Sequence, residues 1–219
     1  FSLITQNYMN TYGASREDFA RICVAQRYNA GAYEYALLKK PISMEDYLAA
    51  RPIAEPLHLL DCVLPCAGSD AFLVMSIERA KDLGLPYATI LAAEEQHNAF
   101  YEDDIQIRGG WRLFRDELYG MAGVKPGDID FVQAYDDYPV IVMLQLEELG
   151  LCKQGEGAAF VRDTELTFDG GGLPVNTNGG QLSAGQAGAA GGFLGLVEAI
   201  RQLTQAGLSN QVENAQIGL

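Results

Sequence analysis

Two short stretches of this sequence place polar side chains where α/β proteins commonly do chemistry. The first is QAYDDYP at residues 133–139, in which Tyr135 ends a predicted strand as a helix begins. The second is NTNGGQLSAGQAGAAGG at residues 176–192, in which Gln186 lies in a glycine-rich turn ahead of another predicted helix. Catalytic groups of α/β folds gather at the carboxyl ends of strands, and free backbone N–H groups project from helix starts. A tyrosine and a glutamine so placed can hold a carbonyl oxygen that becomes an oxyanion, as acyl transfer and aldol chemistry require.

The same residues also have purely structural interpretations. Tyr135 can be a core aromatic whose hydroxyl is bonded locally, and Gln186 can be a turn residue. Asp136 and Asp137, which follow Tyr135, can be N-terminal acids of the next helix, where the helix dipole favours them. The pattern alone leaves the catalytic and the structural interpretations open.

Spacing argues against the common cofactor sites. The glycines of residues 185–191 do not have the spacing of a dinucleotide motif, and no acidic residue follows about twenty residues later at a strand end. The lysine-containing pattern that cradles phosphates is absent as well. Cys62 and Cys66 have only His58 nearby, which is too few ligands for a zinc site. The sequence therefore predicts no metal and no organic cofactor.

Charge and hydropathy narrow the function classes further. The chain has 15 Lys and Arg against 29 Asp and Glu, a net charge of −14, which opposes binding to a phosphate backbone. It has no uninterrupted apolar run of membrane-spanning length and no basic-then-apolar leader after Phe1. Four cysteines are too few for a dense disulfide framework, so reduced thiols are expected. We expect a cytoplasmic protein, and the start at Phe1 indicates a fragment or a processed chain.

The elements that must position the two stretches are predicted from periodicity and from start and stop signals. Residues 1–50 are expected to be helical, because Ser15 and Ser43 precede acidic residues as N-caps do. Residues 51–68 contain two prolines and are expected to be irregular. Buried strands are predicted at residues 71–75, 87–92, 129–135 and 173–176, and helices at 78–83, 111–123, 139–149 and 187–203. This alternation predicts an α/β fold whose mainly parallel or mixed sheet is covered by helices on both faces.

Two long segments resemble the C-terminal half of the thiolase superfamily. They read VQAYDDYPVIVMLQLEELGLCKQGEGAAFV and LPVNTNGGQLSAGQAGAAGGFLGLVEAIRQL. Three upstream segments are similar to its lipid-transfer, or sterol-carrier-type, branch: YMNTYGASREDFARICVAQRYNA, PISMEDYLAARPIAEPLHLLDC and SDAFLVMSIERAKDLGL. The resemblance implies a thiolase-like layered fold in which mixed sheets lie between helical layers. It assigns residues 1–86 to the end of the N-terminal half with its helical loop region, and residues 87–219 to the C-terminal half without its last strands.

The resemblance also implies substrates and binding residues. The expected substrate is an acyl-coenzyme A thioester, in which coenzyme A is part of the substrate rather than a cofactor, and the expected assembly is a homodimer. The glycine-rich turn then approaches the thioester. The residues implied in binding the substrate or coenzyme A are Asn178, Gly179, Gly180, Ser183 and Gly185.

Both family histidines are replaced in this chain. Where the branch carries His-Asp-Cys-Phe, this sequence has Tyr135-Asp-Asp-Tyr138, and where it carries Gly-His-Pro, this sequence has Gly185-Gln-Ala187. Glutamine can donate a hydrogen bond to an oxyanion but cannot take a proton. Tyrosine can do both, provided that its site lowers its pKa from about 10. The resemblance thus implies Tyr135 and Gln186 as catalytic residues of a retro-aldolase-type enzyme that acts on carbon–carbon bonds of acyl-coenzyme A thioesters.

Two other functions stay open at this point. One is a conventional acetyl-coenzyme A acyltransferase, or thiolase, whose nucleophilic cysteine lies upstream of Phe1. The other is a non-catalytic subunit that binds acyl-coenzyme A or lipid. Family members without the histidines include retro-aldolases of sterol side-chain breakdown that work with a small OB-fold, zinc-ribbon partner. An accessory subunit of that kind is therefore implied by the resemblance.

Overall fold

The structure is a computed structural model, and it describes residues 1–205 and 208–219. Helices dominate the described ranges, and one short antiparallel hairpin joins β1 to β2. The helices are α1 Ser2–Tyr12, α2 Arg16–Ala32, α3 Met44–Leu48, α4 Ile77–Asp82, α5 Trp111–Ala122, α6 Pro139–Glu148, α7 Gly157–Asp163, α8 Gly180–Ser183 and α9 Gly191–Leu203. The strands are β1 Pro52–Ala54 and β2 Leu57–His58. None of the helices in the described ranges is long and apolar enough to cross a membrane.

Local signals set the helix ends as expected. The Ser15 N–H donates to the Asp18 carboxylate at 2.8 Å at the start of α2. The Asp46 N–H donates to the Ser43 hydroxyl at 3.1 Å at the start of α3. Gly123 ends α5 in the left-handed region, with φ of 70°, a conformation that glycine adopts without strain. The predicted N-caps and this helix end are confirmed.

Helix α2 is the centre of the packing. It contacts α3, α6, α7 and α8, and Phe19 and Ile22 on α2 join the main core with Met143 of α6. The Asp18 carboxylate on α2 also forms an ion pair with Arg162 of α7 at 2.6 Å. Because α6 and α8 both pack against α2, α2 fixes the positions of the two stretches that carry the candidate catalytic residues.

Two predicted strands are not formed. Residues 71–75 and 87–92 have no strand pairing within the described chain. Their apolar side chains are exposed: Leu73 is 81% exposed, Val74 80% and Ile90 76%. A strand is stabilised by the backbone ladder it shares with a neighbour, so the prediction from apolar composition alone was wrong for these two segments. The prediction of irregular structure across residues 51–68 was wrong in part, because β1 and β2 lie there.

The other two predicted strands pair in parallel, though over single bridges. Residues 129–135 lie between residues 173–176 on one side and Gly218 on the other. The Val132 N–H donates to the Pro174 carbonyl at 2.9 Å. Parallel pairing brings the carboxyl ends of neighbouring segments to the same edge, so the residues that follow each segment meet there.

Three helices have nearly the predicted bounds. The predictions at residues 78–83, 111–123 and 139–149 correspond to α4, α5 and α6. The helix predicted at residues 187–203 begins later, because Gly188–Ala190 form a 3₁₀ turn before α9.

Candidate active site

Tyr135 lies at the carboxyl end of the central extended segment, and a buried amide holds its backbone. The Tyr135 N–H donates to the side-chain amide oxygen of Gln145 at 3.0 Å. The Gln145 amide N–H donates in turn to the Tyr135 carbonyl at 2.7 Å. Gln145 is on α6 and is 5% exposed, whereas Tyr135 is 41% exposed. The backbone of Tyr135 is thus fixed while its phenol stays accessible.

Sequence reasoning missed Gln145. The available signal was a single amide in the apolar run VIVMLQL of α6. A buried amide inside an apolar helix face is expected to have hydrogen-bond partners, and here those partners are the two backbone groups of Tyr135.

Asp136 joins the Tyr135 stretch to the glycine-rich stretch. Its carboxylate accepts the N–H of Gln181 at 2.8 Å and the N–H of Leu182 at 3.1 Å. Burial raises the pKa of Asp136 to about 6, although both N–H groups oppose the shift. A Cβ on Gly180, which has φ of +61°, would collide with the same carboxylate. Asp136 is therefore an acid at the start of a helix, as the structural interpretation expected, but that helix is α8 rather than the following α6.

Gln186 is held against Asp137 and against a segment from the first half of the chain. Its amide N–H donates to the Asp137 carboxylate at 2.6 Å. Its backbone N–H donates to the Leu64 carbonyl at 2.9 Å, and its carbonyl accepts the Cys66 N–H at 2.9 Å. Two backbone hydrogen bonds fix the position of Gln186, and the bond that its side chain donates directs the amide to Asp137.

The fold brings Tyr135 and Gln186 to one carboxylate. Burial raises the pKa of the Tyr135 phenol, and the negative charge of the nearby Asp137 carboxylate raises it further. The nearby Gln186 and Gln181 side-chain amides lower the pKa in part. The net direction is upward, so the lowered pKa that the sequence analysis required of Tyr135 is not found. The phenol therefore stays protonated near neutral pH.

The five residues expected to bind substrate do not all face the same way. Asn178 and Gly180 line a cavity beside Tyr135. The Ser183 hydroxyl accepts a hydrogen bond from Arg27 of α2 at 2.9 Å. A Cβ on Gly179 would lie 2.5 Å from the Cβ of Ala30 on α2. Ser183 and Gly179 thus hold the turn against α2.

The fifth residue of that set, Gly185, makes a close contact beside Gln186. It has φ of +121°, and a Cβ there would lie 2.8 Å from the Cys66 sulfur. A side chain at this position would be strained and crowded, so the glycine lets the turn approach residues 64–66.

The cavity beside Tyr135 has a volume of about 710 Å³. Its polar end is formed by Tyr135, Asp136, Asn176, Asn178 and Gln181. The rest is mostly apolar, with walls from residues 72–92 and from α9. Concave sites of this size with a few convergent polar groups are typical of small-molecule pockets.

The two histidines lie away from these residues. His58 contacts the Ala50 carbonyl through Nδ1 at 2.5 Å, and exposed His97 lies 2.6 Å from Glu95. All four cysteines are free thiols in the structure. Within the described ranges, no group of three or more His, Cys, Asp and Glu side chains is arranged to hold a metal ion.

Comparison with known proteins gives matches over most of the chain. A family model described as Thiolase C-terminal domain-like matches residues 92–219. The chain is 40% identical over 208 residues to a steroid side-chain-cleaving aldolase of Thermomonospora curvata, across 91% of this chain and 52% of that protein. It is 37% identical to a 17-hydroxy-3-oxo-4-pregnene-20-carboxyl-CoA lyase of Mycobacterium tuberculosis, across 92% of this chain and 53% of that protein.

A solved structure gives a consistent result. The structure named Ltp2-ChsH2(DUF35) aldolase matches with a TM-score of 0.80 and 34% identity, over 98% of this chain and 57% of that chain. The chain thus spans about half the length of the curated relatives that it matches.

Proposed function

The chain belongs to the thiolase family, and from that premise we propose that it carries the acid–base groups of an enzyme that cleaves β-hydroxyacyl-coenzyme A by a retro-aldol reaction. Its α/β fold is thiolase-like, as the resemblance predicted. The observation that carries the proposal is that Gln186 donates to the Asp137 carboxylate, which is also close enough to Tyr135 for its charge to raise the pKa of the phenol. Tyr135 and Gln186 stand where the resemblance predicts histidines, so the site has the donors and acceptors of acid–base chemistry without an imidazole.

The proposed reaction begins with a proton relay. The β-hydroxyl of the substrate gives its proton to the Tyr135 oxygen while the Tyr135 proton moves to Asp137. The bond between the α- and β-carbons breaks, and the β-carbon keeps its oxygen as a ketone or aldehyde. The electron pair of the broken bond moves into the thioester, which becomes an enolate. The raised pKa of Tyr135 favours this concerted transfer over a free phenolate.

Gln186 is proposed to stabilise the enolate. One of its two amide N–H groups is engaged by Asp137, so the other is available for the thioester oxygen. A preorganised donor of this kind acts on charge as it develops. The relayed proton then returns to the α-carbon, which gives a shortened acyl-coenzyme A and leaves Asp137 ionised.

The apolar cavity supports a bulky apolar acyl group as the substrate class. The relatives' names support the reaction type, since they describe an aldolase and a carboxyl-CoA lyase. The name of the structural neighbour pairs it with a DUF35 protein, which supports an accessory subunit of the OB-fold, zinc-ribbon kind. We also propose a cytoplasmic homodimer that needs no cofactor beyond substrate coenzyme A. The assignment of residues 1–86 and 87–219 to two thiolase halves is part of the same proposal.

The test uses the full-length protein with its partner subunit. Tyr135→Phe keeps the ring, so we expect little change in stability but a loss of retro-aldol turnover of roughly 10²–10⁴-fold. Gln186→Ala should lower turnover by roughly 10²–10³-fold, as for one oxyanion donor. The readout is the release of ketone or aldehyde from β-hydroxyacyl-coenzyme A.

The competing acyltransferase function gives opposite results. There, Tyr135→Phe would be mild, and alkylation of an upstream cysteine would abolish transfer between an acyl donor and coenzyme A. Unchanged aldol turnover in Tyr135→Phe would remove Tyr135 from the mechanism.

A further inference from the structure

The polar end of the cavity contains buried atoms whose hydrogen-bonding capacity is unused. Four buried side-chain atoms of residues that line the cavity have no partner among the described residues: Asn176 Nδ2, Asn178 Nδ2, Gln181 Oε1 and Gln133 Oε1. An unpaired buried polar atom destabilises the folded state, and native structures contain few of them. Several on one cavity wall therefore point to a polar ligand group at that wall.

The two donors form a pair around Gly180. Asn178 is 1% exposed, and its carbonyl oxygen accepts the Gly180 N–H at 2.9 Å. That bond turns the amide nitrogen of Asn178 the other way, where it has no partner in the described chain. Asn176 is also 1% exposed, and its amide nitrogen lies 2.7 Å from the position that a Gly180 Cβ would occupy. Two buried asparagines next to Gly180 thus each have a side-chain amide nitrogen without a partner in the described chain.

The position of this pair separates it from Gln186. Asn176, Asn178 and Tyr135 line the cavity together with its apolar walls, whereas Gln186 and Asp137 do not. In an acyl thioester the β-carbon lies farther from the sulfur than the thioester carbonyl does. If Gln186 holds the thioester oxygen, the oxygen within reach of Tyr135 and deeper in the cavity is the one on the β-carbon.

We propose that the amide N–H groups of Asn176 and Asn178 form a binding subsite for the oxygen on the substrate's β-carbon. The inference rests on the proposed function and adds the group that selects among acyl-coenzyme A substrates. A β-hydroxyl can accept from both amides while it donates to Tyr135, so the subsite and the relay do not compete for the same proton. An acyl chain without a β-oxygen leaves both donors unpaired, and a site built for a polar group rejects such an analogue strongly.

The subsite is tested by equilibrium binding, independently of turnover. The probes are a 3-oxoacyl-coenzyme A and the saturated acyl-coenzyme A of the same carbon skeleton, each titrated calorimetrically into the full-length protein and partner without free coenzyme A. Neither probe carries a β-hydroxyl proton, so neither can enter the retro-aldol reaction. We expect the 3-oxo probe to bind at least roughly tenfold more tightly, since each donor left unpaired costs about that factor.

Two variants locate the effect. Asn178→Asp keeps the oxygen that accepts the Gly180 N–H and removes the free donor, so the preference for the 3-oxo probe should shrink or reverse. Gln26→Glu is the matched control: Gln26 is equally buried and lacks side-chain partners among the described residues, yet it lies on α2 outside the cavity. This control should keep the preference.

The outcomes separate the inference from the function on which it rests. Equal affinity of the wild-type protein for both probes overturns the subsite, whether or not Asn178→Asp folds. A preference that keeps its full size in Asn178→Asp also overturns it. Retro-aldol turnover without the binding preference defeats the subsite alone, and the preference without turnover defeats the retro-aldolase proposal alone. If neither probe binds, both fail.

Discussion

At the scale of single residues, the site depends on a buried carboxylate that joins its two stretches. Asp136 is buried beside Tyr135 and receives two N–H groups from the first turn of α8. Tyr135 is fixed through its backbone by Gln145, and Gln186 by residues 64–66. Each proposed catalytic residue is therefore held by partners distant in sequence. These partners set the positions of Tyr135 and Gln186, because both residues lie outside regular helices and strands.

The burial of Asp136 predicts a pH-dependent contribution to stability. Its pKa is raised from 3.8 to about 6, so between these values the folded protein holds a proton that the unfolded chain has released. The contribution of Asp136 to the unfolding free energy is therefore largest below pH 4 and falls as pH rises through 6, by about 3 kcal/mol in total. We expect the difference in unfolding free energy between wild type and Asp136→Asn to fall by this amount from pH 4 to pH 7. The measurement is chemical denaturation of the full-length protein at a series of pH values, and a pH-independent difference would contradict the shift.

The residues that sequence reasoning found and missed differ in a physical way. Tyr135 and Gln186 were found because their types depart from the motifs that the chain resembles. Gln145, Asn176 and Gln181 were missed, since an amide has no distinctive local pattern and its role depends on which backbone groups the fold brings to it. The contact of Gln186 with Asp137, 49 positions apart, is set by tertiary packing that periodicity does not report.

At the scale of elements, the glycine-rich turn is shaped by its contacts with α2 as well as by the site. Gly179 has φ of +96°, and a Cβ there would lie 2.5 Å from the Ala30 Cβ and 2.9 Å from the Gln26 carbonyl. The turn therefore packs its backbone directly on α2 and keeps Gly180 next to Asp136. The glycines of this turn are therefore needed for packing against α2 as well as for the proposed site.

Gly179→Ala tests this packing. The left-handed backbone and the contact with Ala30 should together lower the unfolding free energy by roughly 2–4 kcal/mol. Gly120→Ala is the matched control, since Gly120 lies inside α5 with no atom within 4 Å of an added Cβ, and it should raise stability by about 0.5–1 kcal/mol. Thermal and chemical unfolding of the two full-length variants provide the comparison. Equal stability of Gly179→Ala and wild type would show that the turn can move away from α2.

Helix ends and strand pairing were predictable to different degrees, because they depend on contacts at different separations along the chain. The N-caps at Ser15 and Ser43 act within three residues, so the sequence specifies them. The pairing of residues 129–135 with residues 173–176 joins parts of the chain that are far apart, yet the parallel direction followed from the alternation of elements. Residues 71–75 have the apolar composition of a strand but no neighbour in the described ranges. Apolar composition does not show whether the fold provides a neighbouring strand to pair with.

At the scale of the whole molecule, a buried polar network ties the site to the end of the chain. The Glu198 carboxylate of α9 accepts hydrogen bonds from the Thr177 hydroxyl at 2.7 Å and from the Asn210 amide at 2.7 Å. Gln202 donates to the same carboxylate at 2.9 Å, and burial raises the pKa of Glu198. Thr177 lies between the two asparagines of the proposed subsite in sequence, so this network anchors the segment that carries them.

The exposed apolar segments predict how the 219-residue chain behaves alone. Leu73 and Ile90 are 81% and 76% exposed, and their segments have no strand pairing in the described ranges. Exposed apolar extended segments associate with other chains, so we expect the isolated chain to self-associate in a concentration-dependent way despite its net charge of −14. Size-exclusion chromatography with light scattering gives the measurement. We expect the complete protein, in contrast, to be a soluble dimer.

A pair of double variants shows which surface is responsible for this association. Leu73→Glu with Ile90→Glu should reduce it, because two charges then interrupt both exposed segments. Leu3→Glu with Leu113→Glu is the matched control, since these leucines are 66% and 56% exposed on α1 and α5, away from the segments. The same gain in negative charge there should leave association nearly unchanged. Equal effects of the two double variants would mean that net charge, not the exposed segments, controls association. A monodisperse wild-type monomer that unfolds cooperatively would contradict the prediction outright, because the two segments would then be stable without a neighbouring strand.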